Sequence, residues 1–230
     1  MSATPAVLPG AIAEALRAGI VDGSEPPGTT VTEAAVAVRF GVARSTARIA
    51  IEKLVAEGLL RREIHRAARV PEFDRDDIAD LYGTRAIVEG AAMGRLAEAG
   101  AVPAEALAAH RAIRSAARDG GPFAAQDIAF HRALVAGQPS RRLSRMHDQL
   151  MGEIELGIAQ VQAHGLMSAT MIAEQHEYIL AAVIAGDGER AERLAREHVT
   201  SARDALLAHY DITHPDTTHP DNATRHEGQH

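Results

Sequence analysis

The chain has 230 residues with a formal net charge of −7, and 46% of them are hydrophobic, so it can bury a core and is not disordered throughout. It lacks cysteine, which excludes disulfides and thiolate metal sites, and it has no tryptophan and only 3% aromatic residues, which argues against a cofactor pocket built on ring stacking. Abundant alanine and few β-branched residues predict a mainly helical fold. We recognise neither an apolar run long enough to span a membrane nor a secretory leader, so we expect a cytoplasmic protein without a membrane partner.

The first part of the chain is predicted to contain three helices and a small wing. Apolar residues at four-residue spacing indicate an amphipathic first helix, Thr32 is a candidate N-cap for the second, and Gly58 is a stop for the third. The predicted helices span 8–20, 33–40 and 44–57. Two short strands, 59–60 and 68–70, are expected to follow around an arginine-rich loop. This order of elements predicts that residues 1–72 form a winged helix-turn-helix domain.

The charges are divided unevenly along the chain. Between Arg39 and Arg69 there are eight basic and three acidic residues, whereas from Pro71 onward 15 arginines stand against 24 acidic residues. This asymmetry predicts a basic head on an acidic body, while the negative total argues against indiscriminate binding of nucleic acid.

Residues 73–210 are predicted to form an all-helical bundle, because glycine-rich breaks separate six helices with short connections. The predicted spans are 74–99, 103–118, 122–136, 139–163, 168–185 and 188–210. Residues 211–230 repeat the sequence Thr-His-Pro-Asp and contain few apolar side chains. We therefore predict a disordered tail there and leave its histidines out of the site.

The third predicted helix carries the candidate DNA contacts. Arg44 and Arg48 are four residues apart and share a face at its N-terminal end, which is the part of a recognition helix that reads base edges in the major groove. Arginine is the commonest reader of guanine, and Ser45 and Thr46 can hold phosphates. Three arginines of the wing are placed to reach phosphate or the minor groove: Arg62, Arg66 and Arg69. The alternative is a solvated basic face on a structural helix, which the order of turn, helix and basic wing disfavours.

Four residues of the predicted bundle form a candidate metal site. Asp127 and His131 are four residues apart and project from one face of a helix, while His176 and His198 lie in the middle of two others. Imidazole nitrogens with one carboxylate oxygen suit zinc, nickel, iron or manganese, and helical bundles build metal sites in this way. The alternative is an ordinary core or surface role for each histidine, with Asp127 and His131 as a surface pair.

A set of short segments in the first 70 residues carries a family pattern. Its clearest members are Ile12–Leu16, Pro27-Gly28, Phe40–Val42, Arg44-Ser45, Arg48 and Leu54–Leu60. With these segments the domain resembles the winged helix-turn-helix of the GntR superfamily of bacterial transcription regulators, which implies DNA binding. The chain departs from the family's usual residues at Ala34, Ala43, Ile49 and Ala67. The family usually has Ser or Thr where Ala43 stands and often Glu where Ile49 stands, so the operator sequence stays open.

A second pattern runs through the predicted bundle. It consists of Arg85 with Glu89, Asp127–Leu134, Gln175–Val183, Gly186-Asp187, Ala191 and Glu197–Val199, and it departs from the usual residue, Asn, at Gln138. With it the bundle resembles the FCD domain, the helical ligand-binding domain of the FadR subfamily.

This second resemblance implies a ligand set and an effector contact. It implies that a divalent metal, with zinc as the first candidate, is bound by Asp127, His131, His176 and His198. It also implies that Arg85 faces the metal cavity and binds an anion. The alternative for Arg85 is a surface arginine paired with Glu89.

Together these observations predict a homodimeric transcription regulator that binds a double-stranded operator and a small organic acid, with repression relieved by the effector as the default. A ferritin-like di-metal site would need Glu three residues before its histidines, where this chain has Ile128, Ala173 and Ala195. A His-Glu-x-x-His motif fails because Leu180 stands at its second histidine. A mononuclear metal-dependent hydrolase stays open as the alternative, although no general base is evident.

Overall fold

The structure is a computed structural model that describes residues 8–215. The head consists of α1 (Pro9–Val21), β1 (Thr30–Val31), α2 (Glu33–Phe40), α3 (Arg44–Ala56) and β2 (Ala68–Arg69). The body consists of α4 (Arg75–Ala99), α5 (Ala104–Asp119), α6 (Ala124–Gly137), α7 (Arg141–Ala163), α8 (Ala169–Ile184) and α9 (Gly188–Thr213). The predicted mainly helical fold is confirmed, and the helix boundaries agree with the sequence prediction to within three residues.

Local signals in the sequence start and stop these helices. The Thr32 hydroxyl accepts a hydrogen bond from the amide of Ala35 and caps α2, as the sequence predicts. Helix α2 ends where Gly41 adopts a φ of 64°, which makes the tight turn before α3. Asp74 and Asp77 form a capping box that fixes the start of α4, directly after the linker between head and body.

The wing pairs differently from the prediction. Residues 68–69 form a strand, but its antiparallel partner is β1, with Val31 opposite Ala68. The predicted strand 59–60 is wrong, and only Arg61 makes an isolated bridge, to Arg69. Leu59 and Leu60 are both completely buried in the core of the head, whereas consecutive strand residues point to opposite faces. Strand β1 has two residues, too few to show an alternating pattern.

Helix α4 is the central helix of the body. It lies along α9 and also contacts α6, α7 and α8. Because it is covered on several sides, it buries ionisable as well as apolar side chains. Arg85 and Glu89 are both buried in this helix, so charged groups stand inside the bundle.

Helix α7 joins the body to the head. Leu156 of this helix packs into the hydrophobic core of the head. One turn earlier, Gly152 lies against the backbone of the turn that follows α3. A Cβ at Gly152 would come within 1.9 Å of the Glu57 carbonyl oxygen and 2.5 Å of the Leu59 nitrogen. The head is therefore docked directly on α7 in addition to its covalent linker.

A buried carboxylate bridges head and body at the same place. Glu155 of α7 has a side chain only 2% exposed, and it forms close ion pairs with Arg17 of α1 and Arg132 of α6. Arg17 also pairs with Glu57, at the end of α3. One acidic side chain thus connects three helices that belong to two domains.

Helix α9 extends beyond the predicted end of the body. The predicted disordered tail, residues 211–230, overlaps the last three helical residues, where Asp211 pairs with Arg75 of α4 at 3.0 Å. The remainder of that predicted tail, from residue 216 onward, lies outside the described residues, as do residues 1–7. Within residues 8–215, no helix combines the length and the hydropathy that crossing a membrane requires.

Candidate metal centre and DNA-binding face

Four side chains from three helices meet in the core of the body. Helix α6 supplies Asp127 and His131, α8 supplies His176 and α9 supplies His198, and all four residues are buried. One ligand atom from each lies within 4.8 Å of the others. The structure thus brings together the four residues that the sequence analysis selected as metal ligands.

The spacing of these ligand atoms fits a single shared ion. The Nε2 atom of His198 is 3.3 Å from Nε2 of His176 and 3.3 Å from Nε2 of His131. Oδ1 of Asp127 is 3.3 Å from Nε2 of His176 and 3.7 Å from Nε2 of His131. Two ligand atoms that are each bonded to one zinc ion are about 2.9 Å apart at a right angle and about 3.4 Å apart at the tetrahedral angle. The observed separations lie close to this range.

Burial keeps the imidazoles of His176 and His198 in the form that binds metal. Removal from water lowers the pKa of His176 and His198 well below its ordinary value, and neighbouring imidazoles lower it further. Burial also raises the pKa of Asp127, an effect that His131 and Arg85 oppose. Despite its closeness to His176, Oδ1 of Asp127 has no hydrogen-bond partner among residues 8–215. Converging lone pairs beside an unsatisfied carboxylate oxygen are the donor set of a cation site.

Two further residues orient the rings of this cluster. Oε2 of Glu89 is 2.7 Å from Nδ1 of His131, and Oε1 of Gln175 is 2.7 Å from Nδ1 of His198. Each oxygen accepts the Nδ1 proton, so the Nε2 lone pair points toward the shared centre. These two roles were not predicted from the sequence. The available signals were that Glu89 lies one turn after Arg85 and that Gln175 is adjacent to His176.

Glu89 is charged in spite of its burial. Burial raises the pKa of its carboxyl group, but Arg85 and His131 outweigh that effect, so the pKa lies well below its ordinary value. His147 of α7 adds a third contact, with Nε2 3.2 Å from Glu89 Oε1. The carboxylate therefore links α4, α6 and α7 next to the candidate metal centre.

Arg85 lies in the core rather than at the surface. It is 1% exposed, and its Nε donates to Oε1 of Glu89 at 2.8 Å. The alternative of a surface arginine paired with Glu89 is therefore right about the partner and wrong about the surface position. Nη2 of Arg85 has no hydrogen-bond partner within the described part of the chain, which leaves one charged donor available in the core.

A small cavity lies beside the four-residue cluster. It is bordered by Tyr82, Arg85, Asp127 and His198 and by apolar side chains of α7, α8 and α9. Its volume is about 10 Å³, which is room for about one water molecule. The Tyr82 hydroxyl, like Arg85 Nη2, has no partner in residues 8–215. Two free donors and the unsatisfied oxygen of Asp127 therefore belong to residues that border one cavity.

Other histidines of the body do not join the cluster. His110 packs beside Phe130, with ring centroids 6.2 Å apart, and its pKa is lowered mainly by burial. His164 and His209 stack on each other near the junction with the head, with centroids 4.2 Å apart. None of these three histidines belongs to the group of four residues whose ligand atoms converge.

Helix α3 presents its arginines to solvent. Arg44 is the first residue of the helix, and Arg44, Ser45 and Arg48 are exposed, while Thr46 is half-buried. Arg48 Nε donates to Oε1 of Glu52 at 2.7 Å along the same face. The N-terminal turn of α3 is therefore open to a ligand as large as duplex DNA.

The three wing arginines differ in their surroundings. Arg62 is half-buried and donates to Glu33 of α2 at 3.0 Å. Arg66 is exposed and pairs with Glu63 at 3.1 Å, whereas Arg69 is exposed and forms no ion pair within residues 8–215. Phosphates would compete with an acidic partner at two of these three positions.

Comparison with known proteins gives a two-part match. Residues 8–70 match the model of bacterial regulatory proteins of the gntR family, and residues 80–201 match the model of the FCD domain. The Probable D-xylose utilization operon transcriptional repressor of Paenarthrobacter nicotinovorans is 31% identical over 186 residues, which cover 79% of this chain and 81% of that protein. The HTH-type transcriptional repressor GlaR of Escherichia coli is 26% identical over 195 residues, or 80% of this chain and 89% of that protein.

The fold also resembles solved structures. A transcriptional regulator GntR from Rhodococcus sp. RHA1 superposes with a TM-score of 0.72 at 26% identity, covering 86% of this chain and 97% of that one. The hydrolase alternative receives no support from these similarities.

Proposed function

We propose, from the premise that this chain belongs to the GntR family of bacterial regulatory proteins and carries an FCD domain, that it is a repressor whose operator affinity is set by a small organic acid bound at a metal centre. The observation that carries the proposal is the convergence of three imidazole nitrogens and one carboxylate in the core of the body. The FCD domain is also consistent with the FadR subfamily.

The four clustered residues would hold the ion, with zinc as the first candidate and nickel, manganese or iron as the others. A bound divalent ion supplies a fixed positive charge that attracts the carboxylate of an effector. Arg85 Nη2 and the Tyr82 hydroxyl border the same cavity without partners and would donate hydrogen bonds to that carboxylate. The effector class is therefore a small carboxylic acid.

The size of the cavity explains how such an acid would act on the body. A volume of about 10 Å³ cannot contain a carboxylic acid, so the helices that line the cavity would have to move apart to admit it. An acid that binds the opened arrangement better than the closed one shifts the population toward it. Effector binding and a rearrangement of the bundle are therefore coupled.

Glu155 connects that rearrangement to the head. Arg132 follows His131 in α6 and pairs with Glu155, which also pairs with Arg17 of the head. Gly152 of the same helix contacts the turn after α3. A shift of α6 or α7 around the metal centre would change how the head sits on the body, and so the placement of α3.

Two copies of the chain would place two heads on the half-sites of a pseudo-palindromic operator, about one helical turn apart. Arg44, Ser45, Thr46 and Arg48 would enter the major groove, and Arg62, Arg66 and Arg69 would reach phosphates or the minor groove. Because much of the affinity would come from phosphate contacts, binding would weaken steeply as the salt concentration rises.

The first test is metal content. We expect about one divalent ion per chain by elemental mass spectrometry when His214, His219, His226 and His230 are replaced by alanine, so that the histidines of the tail cannot chelate metal. In that background, His176→Ala together with His198→Ala removes two of four ligands, and the bound metal should be lost. Full occupancy in this variant would contradict the metal centre.

A matched control is His110→Ala. His110 is buried near the cluster, with its ring centroid 6.4 Å from that of His176, but it does not belong to the ligand set. The His110→Ala variant should therefore keep its bound metal. Effector binding is then followed with a panel of carboxylic acids of two to six carbons. Tyr82→Phe removes one free donor of the cavity and keeps the Arg85–Glu89 pair, so it should weaken binding of the acid and leave operator binding of the acid-free protein largely intact.

A further inference from the structure

An isoleucine stands on the exposed face of the recognition helix. Ile49 in α3 is 55% exposed and belongs to neither hydrophobic core of residues 8–215. Its neighbours on the same face are polar, since Ser45 precedes it by one turn and Arg48 is adjacent. A β-branched apolar residue adds nothing to an exposed helix, in which alanine is the better helix former. Exposure alone does not distinguish Ile49, since Val38 of α2 is 85% exposed, but Ile49 is the exposed isoleucine that lies on the candidate DNA-contacting helix.

The geometry of α3 shows where this side chain points. Ala47, Ala50, Ile51 and Leu54 are fully buried, which fixes the inner face of the helix. Ile49 lies on the opposite face, four residues after Ser45. Side chains on a helix tilt toward its N-terminus, so Ile49 covers the surface over the preceding turn, where Ser45 is exposed. This is the end of the helix that enters the groove in the proposed DNA complex.

The chemistry of the major groove offers one apolar partner. Donors and acceptors cover most of the base edges, and the C5-methyl group of thymine is the apolar feature among them. We infer that Ile49 is a specificity-determining residue that contacts a thymine methyl group in each operator half-site. Arg44 and Arg48 supply the charge attraction beside it, while Ile49 distinguishes thymine from cytosine by contact with the methyl group. This inference rests on the proposed placement of α3 in the major groove.

The test removes the methyl group alone. Operator duplexes are selected from a random library with the full-length protein, and each thymine is then replaced by uracil, one position at a time. Binding is measured by fluorescence anisotropy at one fixed salt concentration. At one thymine of each half-site, uracil should weaken binding by about three- to tenfold, the effect of one buried methyl group. Ile49→Ala should show no loss at that position, because the contact is already absent.

Two controls keep the outcomes distinct. Val38→Ala removes another exposed aliphatic side chain of the head, on α2, and should keep the wild-type response to uracil. Arg44→Ala and Arg48→Ala should each weaken operator binding by about five- to 150-fold. If both arginine variants bind normally, the placement of α3 is wrong and the proposed DNA face fails with it. If the arginine variants bind weakly as expected, but Ile49→Ala loses as much affinity on uracil substitution as the wild type does, the thymine contact is overturned and the proposed DNA face stands.

Two further results would also overturn the contact between Ile49 and a thymine methyl group. A selected operator that tolerates uracil at every position leaves Ile49 without the inferred partner. A change of oligomeric state in Ile49→Ala, measured by light scattering, would show that the side chain is covered by protein. Folding is not in question for this variant, because the residue is exposed and alanine favours the helix.

Discussion

Glu89 takes hydrogen bonds or ion pairs from three basic side chains in the core of the body. Its oxygens lie 2.8 Å from Arg85 Nε, 2.7 Å from His131 Nδ1 and 3.2 Å from His147 Nε2. A charged carboxylate in such a place is stable only while its partners remain, and the same holds for Arg85. This residue therefore serves both the stability of α4 and the orientation of a candidate metal ligand.

Replacing Glu89 by glutamine should affect metal and stability together. Glu89→Gln leaves Arg85 without a countercharge in the core, which should lower the free energy of unfolding by roughly 3–5 kcal/mol. It also loosens His131, which should weaken metal binding about 10- to 100-fold in a competition titration against a chelator. Glu192→Gln, at a partly exposed pair with Arg196 on α9, should change neither quantity.

The half-buried Gln175 separates the two effects. Gln175→Ala removes the partner of His198 Nδ1 without leaving a buried charge unpaired. Metal affinity should fall while denaturant unfolding changes little. Unchanged metal affinity in both Glu89→Gln and Gln175→Ala would contradict the orienting role of these two residues.

At the residue scale, spacing in the sequence paired Asp127 with His131, and the family resemblance added His176 and His198 to the candidate ligands, but neither signal predicted the residues that support them. Asp127 and His131 could be paired because four residues are one helical turn. Glu89 could be predicted to meet Arg85 for the same reason. Its contacts with His131 and His147 depend on how α4, α6 and α7 cross, and no spacing along the chain encodes those crossings.

At the scale of elements, α7 has two roles that its sequence pattern does not separate. Its apolar residues face both the body and the head, and Gly152 allows the backbone of the turn after α3 to approach closely. The atoms that Gly152 faces are backbone atoms, which cannot rotate away as the end of a side chain can. Any side chain at Gly152 would therefore force α7 and the turn after α3 apart.

We expect Gly152→Ala to undock the head. The added methyl group would clash with the backbone at Glu57 and Leu59, which should cost about 1–3 kcal/mol and expose the linker near Phe73 to limited proteolysis. Gly83→Ala is the matched control, because it lies inside α4 with nothing within 4 Å of the new Cβ. That variant should gain about 0.5–1 kcal/mol from helix propensity. Equal protease resistance in Gly152→Ala and the wild type would argue against the docked arrangement.

The helix boundaries were predictable because capping residues and glycine stops act locally in the sequence. Thr32, Gly41 and Gly58 act on their own neighbours, so their effect can be inferred without knowledge of the fold. The wing was not predictable to the same degree. The partner of residues 68–69 is nearly forty residues earlier in the chain, and two consecutive buried leucines resembled a strand only in their apolar character.

On the scale of the whole molecule, head and body share one ion-pair system. Glu155 is almost fully buried, whereas Arg132 is 43% exposed and Arg17 is 15% exposed. With Leu156 in the core of the head, these contacts make the two domains mechanically dependent on each other. The sequence predicted two domains, but nothing in it placed one against the other, because the ion pairs that join the head to α7 connect residues 92 and 138 positions apart.

Glu155→Gln should divide one unfolding transition into two. The wild type should unfold as a single unit in scanning calorimetry, since the head gains stability from α7. The variant leaves both arginines without their shared partner, which should destabilise the junction by roughly 3 kcal/mol. This value is at the low end of the range for broken buried ion pairs, because Arg132 stays in contact with water. The exposed Asp148 of the same helix forms no ion pair within residues 8–215, so Asp148→Asn should keep the single transition. A single transition in Glu155→Gln, at the wild-type temperature, would refute the shared ion-pair system.

The small cavity beside the candidate metal centre would also limit the timing of a response to the proposed effector. A space large enough for one water molecule is too small for a carboxylic acid, so the acid would bind only where the surrounding helices move apart. In the proposed function, that movement would precede entry. Above a certain concentration of acid, the rate of the response would therefore stop rising, because it would equal the rate at which the bundle opens.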